Sequence, residues 1–507
     1  MKGRNQPLAS PPNQIGTIEF PINNINCIHE TYQTMKSKHI PRRNALALAL
    51  CLVAILNVLI ERNNTQAAGS PNFVFILSDD QGWPATSVQM HPTRQDAKSD
   101  YFQTPNLERL ASQAMRFSQG YAPAALCNPT RRSLQFGQMP VRQGSEGFDA
   151  LYPVGNTHLT IPRLLKSVDP RYVAAHFGKW DHRTDLAPEH LGYDSGDGNT
   201  SNAPGSMTST FEKTEKWSSY TVTEDPKRIF SITDRSLDFM MNSVKEERPF
   251  YLQISHYAVH VTMQTRRASL EKYKRLPKGE KHNVPAFGGM TEDLDVGVGK
   301  ILDMIDELGI ADSTYVIYMS DNGAAGWIPP NTSRNLSNPT TYERPGRNAP
   351  LRGGKWVTFE GGIRVPFIVR GPGVKPNSFC NVPVVGWDLL PTIADIVGYP
   401  KPLPGDLDGG SFRSLLENEG RGSVQRPNSG LVFHRYNDRY PHTSIRVGDY
   451  KLVKFWREDK MLLFNLENDL GETKDLVEAE PQKARVLHKQ LMDYLESVDS
   501  DVLTLYK

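Results

Sequence analysis

From Pro71 onward the chain alternates short, continuous apolar runs with stretches whose apolar residues recur at helical spacing. The first run, NFVFIL (Asn72 to Leu77), has no polar position after Asn72, as burial of both faces in a parallel sheet demands. It stops at Ser78, Asp79 and Asp80. YVAAHF, Tyr172 to Phe177, leads into Gly178, Lys179, Trp180, Asp181 and His182, and FYLQIS, Phe250 to Ser255, leads into His256 and His260. Leu294, Val298, Ile301, Leu302, Ile305 and Leu308 mark one face of a helix; beyond Gly309 the run YVIYM, Tyr315 to Met319, ends in Ser320, Asp321, Asn322 and Gly323. The alternation predicts an α/β fold, a large mixed, mainly parallel sheet flanked by helices. Each of these strands delivers ionisable or polar groups just past its carboxyl end, the edge at which open α/β sheets bind ligands.

The pattern divides the chain. Residues 69–420 are expected to form the large domain that carries all these edges. Residues 421–507 are expected to form a small α+β domain, because the strand-like LVFHRY and YKLVKFW precede a helical pattern at Ala484, Val486, Leu487, Leu491 and Leu495. The Gly- and Ser-rich stretch Leu407 to Pro427 connects them. Residues 1–68 read as an over-long amino terminus and a signal peptide: the apolar run Ala45 to Ile60 follows Lys36, Lys38, Arg42 and Arg43 and precedes small residues, with cleavage expected near Ala68 and a start at Met35. That run is shorter than the roughly 20 residues of a bilayer span, so no stable membrane span is expected after cleavage. An exported, periplasmic or extracellular protein is implied.

Composition narrows the partners. Lys+Arg 58 against Asp+Glu 56 leaves a net charge of +2 over 507 residues, too little for a cationic surface that holds a nucleic-acid backbone. Of the 4 cysteines, Cys27 and Cys51 fall in the segment expected to be removed. Cys127 and Cys380 remain, and the spacing leaves open whether they pair.

Any one of these edges could also be a solvated turn. Together, Asp79, Asp80, Asp321 and Asn322 offer hard oxygen ligands of the kind that suit Ca²⁺ or Mg²⁺ better than zinc, so a hard divalent ion is expected. In YAPAALCNPTRRSLQFGQ, Pro129 suits a first helical turn and Gly137 a stop, which sets Cys127 at a helix amino terminus with Arg131 one turn along. Unpaired N–H groups there favour anions, so a lowered thiol pKa is expected.

Cys127, Asn128, Pro129, Thr130 and Arg131 match the C-x-P-x-R signature, and with it the chain resembles the sulfatase family. LSDDQGW (Leu77 to Trp83), GKWDH (Gly178 to His182), SDNGA (Ser320 to Ala324), LRGGKWVTFEGGIRVP (Leu351 to Pro366), RVGDYKLV (Arg446 to Val453) and LFNLENDLGETKDL (Leu463 to Leu476) are similar to further family blocks in the family's order. The resemblance covers about residues 70 to 500. It implies an alkaline phosphatase-like fold and a Cys127 oxidised to Cα-formylglycine by a formylglycine-generating or equivalent maturation enzyme. It also implies Ca²⁺ held by Asp79, Asp80, Asp321, Asn322 and the modified Cys127, with Arg131 steadying the hydrated aldehyde. Lys179, His182, His260 and Lys355 complete the implied catalytic set; Lys179, His260, Lys355 and His434 are the candidate substrate contacts. His260 is preferred to His256, which packs or orients. The expected reaction is hydrolysis of a sulfate ester, of a sulfated small molecule or glycan. A phosphonate or phosphodiester hydrolase on the same scaffold and a non-catalytic glycan-binding homologue are the alternatives, and the loops Asn199 to Trp217 and Asn331 to Asn348 are expected to set specificity.

Overall fold

A computed structural model describes residues 69–144, 158–182, 186–205, 219–325, 343–435 and 440–506. The signal-peptide reading, Met35, Cys27 and Cys51, and most of the two specificity loops lie outside them. The large sheet contains, in chain order, β1 (Asn72–Ser78), β2 (Met115–Phe117), β3 (Val173–Gly178), β4 (Ser195–Gly196), β5 (Phe250–Ser255), β6 (Thr314–Ser320), β7 (Phe367–Arg370) and β8 (Ser378–Cys380). Their spatial order is β8-β2-β7-β6-β1-β5-β3-β4. Only β7 runs against its neighbours β6 and β2; the other pairings are parallel, so the expected mixed, mainly parallel sheet is observed.

The apolar runs are continuous because both faces are covered. Along β1, Phe73, Phe75 and Leu77 enter one core while Val74 and Ile76 enter the other; along β6, Tyr315, Ile317 and Met319 oppose Val316 and Tyr318 in the same way. The first core takes Leu134 and Phe136 from the helix Cys127–Phe136 and Leu164 and Leu165 from Ile161–Val168; the second takes Ile232 and Met240 from Ile229–Lys245 and Val298, Ile301, Leu302 and Ile305 from Pro285–Glu307. The helix that begins at Cys127 thus lies on one face with its amino terminus at the sheet edge.

A second, antiparallel sheet of β9 (Leu431–Arg435), β10 (His442–Val447), β11 (Tyr450–Phe455) and β12 (Lys460–Asn465) is a meander in sequence order. Ala484, Leu487, Leu491 and Leu495 of the helix Pro481–Ser497 are buried in a shared core with Leu431, Phe433, Ile445 and Leu463, and Tyr121, Ile363 and Trp387 of the larger layer join it. Val486, expected in that core, is 53% exposed: it falls off the stripe that Ala484, Leu487 and Leu491 define. The Gly-rich connection holds a short helix, Arg413–Glu417, with Leu415 and Leu416 buried. Among the described residues no helix is long and apolar enough to cross a membrane.

Candidate active site

Strand register builds the site. Ser78 pairs with Ser320, Leu77 with Ser255, and Ser255 with Gly178, so β6, β1, β5 and β3 end level with one another. The next residues are Asp321, Asp79, His256 and Lys179, and backbone bonds continue one step past the strands: Asp321 N–H to Ser78 O (3.0 Å), His256 N–H to Leu77 O (2.9 Å) and Lys179 N–H to Ser255 O (2.7 Å). A close chain crossing brings in Lys355. A Cβ on Gly323 would stand 1.8 Å from the Gly361 carbonyl oxygen, and Gly323 N–H bonds to Gly362 O at 2.9 Å, so glycine lets the SDNGA and EGGIRVP segments touch.

The side chains converge. Cys127, the first residue of its helix, has Sγ 3.4 Å from Asp79 Oδ1 and 4.0 Å from Asp80 Oδ1, and Lys355 Nζ lies 3.3 Å from the sulfur. Lys355 donates to both Asp80 oxygens, at 2.7 and 3.0 Å, and Lys179 donates to Asp79 Oδ2 at 2.6 Å. Arg131 donates from Nε and Nη2 to Asp321 Oδ2 and from Nη1 to the Lys179 carbonyl at 2.6 Å. Asn322 Nδ2 donates to Asp80 Oδ1 at 2.7 Å, while its Oδ1 is buried and has no hydrogen-bond partner. His260 Nε2 is 3.6 Å from Asp80 Oδ2, and its Nδ1–H faces the Val261 carbonyl, which fixes Nε2 as the reactive nitrogen. Ligand atoms of Asp79, Asp80, Cys127 and His260 all lie within 4.8 Å of one another.

Burial and charge compete at every group. Burial alone would raise Asp79, but Lys179, His260, Arg131 and Lys355 together hold it well below the carboxylate range. Asp321 goes the other way, pushed up to about 6 by burial and the Asp79 charge despite Arg131 and Lys179. Burial opposes the charge on Lys179 and Lys355, and the facing carboxylates overcome it and raise both. His260 is pushed down to about 3 by burial and Lys355, with Asp80 and Asp79 pulling back.

The expected thiol activation is corrected by the structure. Burial, then the Asp321 and Asp79 charges, push the Cys127 thiol well above its ordinary value, more than the two lysines lower it. A helix terminus is a partial charge and the two carboxylates are full ones, so Cys127 rests as a neutral thiol. Nor does it pair with Cys380: both are free and buried, and Cys380 faces Gly420 O at 3.4 Å.

Asp79, Asp80, Cys127, Arg131, Lys179, Asp321, Asn322 and Lys355 are therefore one bonded cluster, and the neutral His260 ring stands against it, 3.6 Å from Asp80. His182 stands beside it: its ring stacks on Trp180 with centroids 3.6 Å apart, both nitrogens are buried without a hydrogen-bond partner, and burial together with His176, Arg132 and Arg131 holds it neutral. His256 is also buried without a hydrogen-bond partner, in keeping with a packing role. His434 lies within β9, buried, with Nδ1 2.6 Å from Thr443 Oγ1 across the antiparallel sheet. Asp181, not among the expected site residues, joins them: its Oδ2 is 3.5 Å from Lys179 Nζ, and its φ is 49°. Its place between Trp180 and His182 in GKWDH was the available signal.

Residues 71–399 match the family model for sulfatase, and residues 354–501 match the carboxyl-terminal model of N-sulphoglucosamine sulphohydrolase. The chain is 26% identical to a sulfatase of Formosa agariphila, over 85% of this chain and 89% of that one, and 29% identical to N-acetylgalactosamine-6-sulfatase of Mus musculus, over 76% and 72%. Among solved structures it shares its fold with the PsFucS1 sulfatase from Pseudoalteromonas sp. (TM-score 0.66, 19% identity, 91% and 95% covered) and with a phosphonate monoester hydrolase from Silicibacter pomeroyi (TM-score 0.58, 17% identity, 86% and 97% covered). The chain belongs to the sulfatase family. It is a sulfuric ester hydrolase.

Proposed function

We propose that this sulfatase is an exported enzyme that removes sulfate from sulfated carbohydrate, that a formylglycine-generating or equivalent enzyme converts Cys127 to Cα-formylglycine, and that Asp79, Asp80, Asp321, Asn322 and the converted side chain hold Ca²⁺. The carrying observation is the position of Cys127, its sulfur 3.4 Å from Asp79 and 3.3 Å from Lys355 at the carboxyl edge of the sheet. The donor set fits a hard cation: three carboxylates converge there, and Asn322 Oδ1 is a buried carbonyl oxygen with no hydrogen-bond partner. Ca²⁺ is favoured over Mg²⁺ because an all-protein oxygen cage suits the larger ion. When present, the ion and the hydrated aldehyde supply a fixed positive charge and a nucleophilic oxygen.

The chain's own residues do the rest. Lys179 and Lys355, kept cationic by Asp79 and Asp80, balance the charge of a sulfate ester and of the oxygen that leaves it. Arg131 fixes Asp321, whose raised pKa suits a group that takes a proton near position 127. His260 Nε2 faces the same space and protonates the departing alcohol; it is neutral beside Lys355, and an arriving sulfate charge favours its cationic form. His182, held neutral, would be the base that takes the proton of the hydrate's second hydroxyl, so that the carbonyl re-forms as sulfate leaves. Amino-sugar and galactose-type sulfates are the first substrates to try, given the relative named for N-acetylgalactosamine 6-sulfate.

The test is mass analysis of the peptide containing Cys127 from a host able to convert it, paired with rates on an aryl sulfate and an aryl phosphodiester. A loss of about 18 Da, the difference between a thiol and an aldehyde side chain, with faster sulfate cleavage is expected. An unconverted peptide in active enzyme, or preference for the phosphodiester, would overturn the proposal.

A further inference from the structure

From Gly353 through Arg370 every residue is buried except Trp356, which is half-buried. Its backbone φ is 78°, a conformation in which a bulky side chain is a genuine outlier. The surroundings hold it there: Trp356 N–H bonds to Ala125 O at 2.9 Å, two residues before Cys127, and Lys355 N–H bonds to Ala324 O at 3.1 Å, two residues after Asn322. Strain kept in place this way is found at ligand clamps, where the side chain it aims has a use.

The indole lies beside the site. Lys355 Nζ lies 5.1 Å from the ring centroid and 3.3 Å from Cys127 Sγ, so the same ammonium neighbours the aromatic ring and the reacting position. The ring also packs against the apolar cluster that contains Val259 and Val261, the two neighbours of His260. Apart from the His260 imidazole, the groups around Cys127 are carboxylates, ammonium groups, a guanidinium and an amide, which can recognise a sulfate and offer little to the carbon face of a sugar ring. An indole beside them supplies that surface, since sugar C–H groups present an apolar, edge-positive face to the negative face of the ring.

We propose that Trp356 is the platform on which the sugar bearing the sulfate packs, and hence a specificity-determining residue; this rests on the reading of the substrate as sulfated carbohydrate. Trp356→Gly removes the ring and relieves the backbone, because glycine accepts a positive φ. Trp356→Phe retains an aromatic face.

Wild-type enzyme is first assayed on a panel of monosulfated hexoses and N-acetylhexosamines and on 4-nitrophenyl sulfate. On the best sugar substrate, Trp356→Gly is expected to raise KM at least tenfold and Trp356→Phe less than threefold. The inhibition constant of inorganic sulfate, which fills the charged pocket and has no sugar, should move less than threefold in both. An unchanged KM in Trp356→Gly overturns the proposal. So does a parallel tenfold weakening of inorganic sulfate, which would make Trp356 a support for Lys355. If wild-type enzyme cleaves 4-nitrophenyl sulfate and no member of the panel, the carbohydrate reading itself has failed and the platform falls with it.

Discussion

Arg131 grips one oxygen of Asp321 with two donors, Nε at 3.0 Å and Nη2 at 2.8 Å from Oδ2, and leaves Oδ1 to the backbone N–H of Asp80 at 3.1 Å. The helix that presents Cys127 and the two central strands are thereby locked to a single carboxylate. Arg131→Lys keeps the charge and loses the fork. It is expected to lower kcat/KM on an aryl sulfate by about 100-fold, the scale of losing one fixed electrostatic contact. Arg131→Ala leaves Asp321 and Asp79 buried with less compensation and should cost about 3–5 kcal/mol in urea unfolding. Lys at wild-type activity would show that the fork is not needed.

Removing the proposed Ca²⁺ should loosen the site before the rest of the fold. Dialysis against a Ca²⁺ chelator is expected to lower Tm and Ca²⁺ to restore it; saturation at a hundredfold over Kd corresponds to about 2.7 kcal/mol. Asn322→Leu, close to Asn in shape, removes the unpartnered Oδ1 together with the Nδ2 bond to Asp80. It should weaken Ca²⁺ binding by calorimetry at least about tenfold, the lower range for losing a partner of a metal site. Mg²⁺ restoring Tm as well as Ca²⁺ would remove the preference between the two ions.

How much of this was readable from the chain depended on length and burial. β1, β3, β5 and β6 were legible because burial on both faces forces apolar runs too long to mistake, and the polar residues that end them became the site. β7 and β2 were not: strands of 4 and 3 residues carry little periodicity, and the reversal of β7 is decided by its place between β6 and β2. The helix at Cys127 was legible from Pro129 and Gly137, and Gly137 indeed stops it in the left-handed region at φ 65°. Its thiol's pKa was not, since Asp79 and Asp321 are far away in sequence and reach it only through the sheet. The same blindness hid the buried charges around Lys451, which Glu360 and Glu472 reach from distant parts of the chain.

That last group ties the antiparallel sheet to the segment that leads into β7. Lys451 of β11 donates to Glu360 Oε1 at 3.0 Å and lies 2.9 Å from Glu472 Oε1, with all three side chains fully buried. Glu360 also accepts from Arg364 and Tyr121. Lys451→Met removes the one charge shared by both glutamates and should destabilise the protein by about 3–5 kcal/mol, the usual cost of leaving a buried carboxylate unpaired. Adding Glu472→Gln should recover part of the loss, because only Glu360 then remains charged and Arg364 still holds it. A double variant no more stable than Lys451→Met in chemical denaturation would show that the cost lies in packing.

Asp295 gives a pH-dependent prediction away from the site. From the helix Pro285–Glu307 it accepts the backbone N–H of Asn106 (3.0 Å) and Leu107 (2.8 Å) and the Asn106 amide (3.0 Å), capping the helix Pro105–Ser112, whose own Thr104 makes no side-chain cap. Burial raises its carboxyl from 3.8 to about 6 against the pull of those bonds. Between these two values the folded chain keeps a proton that the unfolded chain has released, so the contribution is fully present below pH 3.8 and is lost as pH rises through 6. Asp295→Asn does not titrate. Measured by urea unfolding, the stability of wild type relative to Asp295→Asn should fall by on the order of 2 kcal/mol from pH 4 to pH 7. A difference that stays flat across that range, or rises, would mean that Asp295 is ionised in the fold at pH 4 and that its hydrogen bonds outweigh its burial.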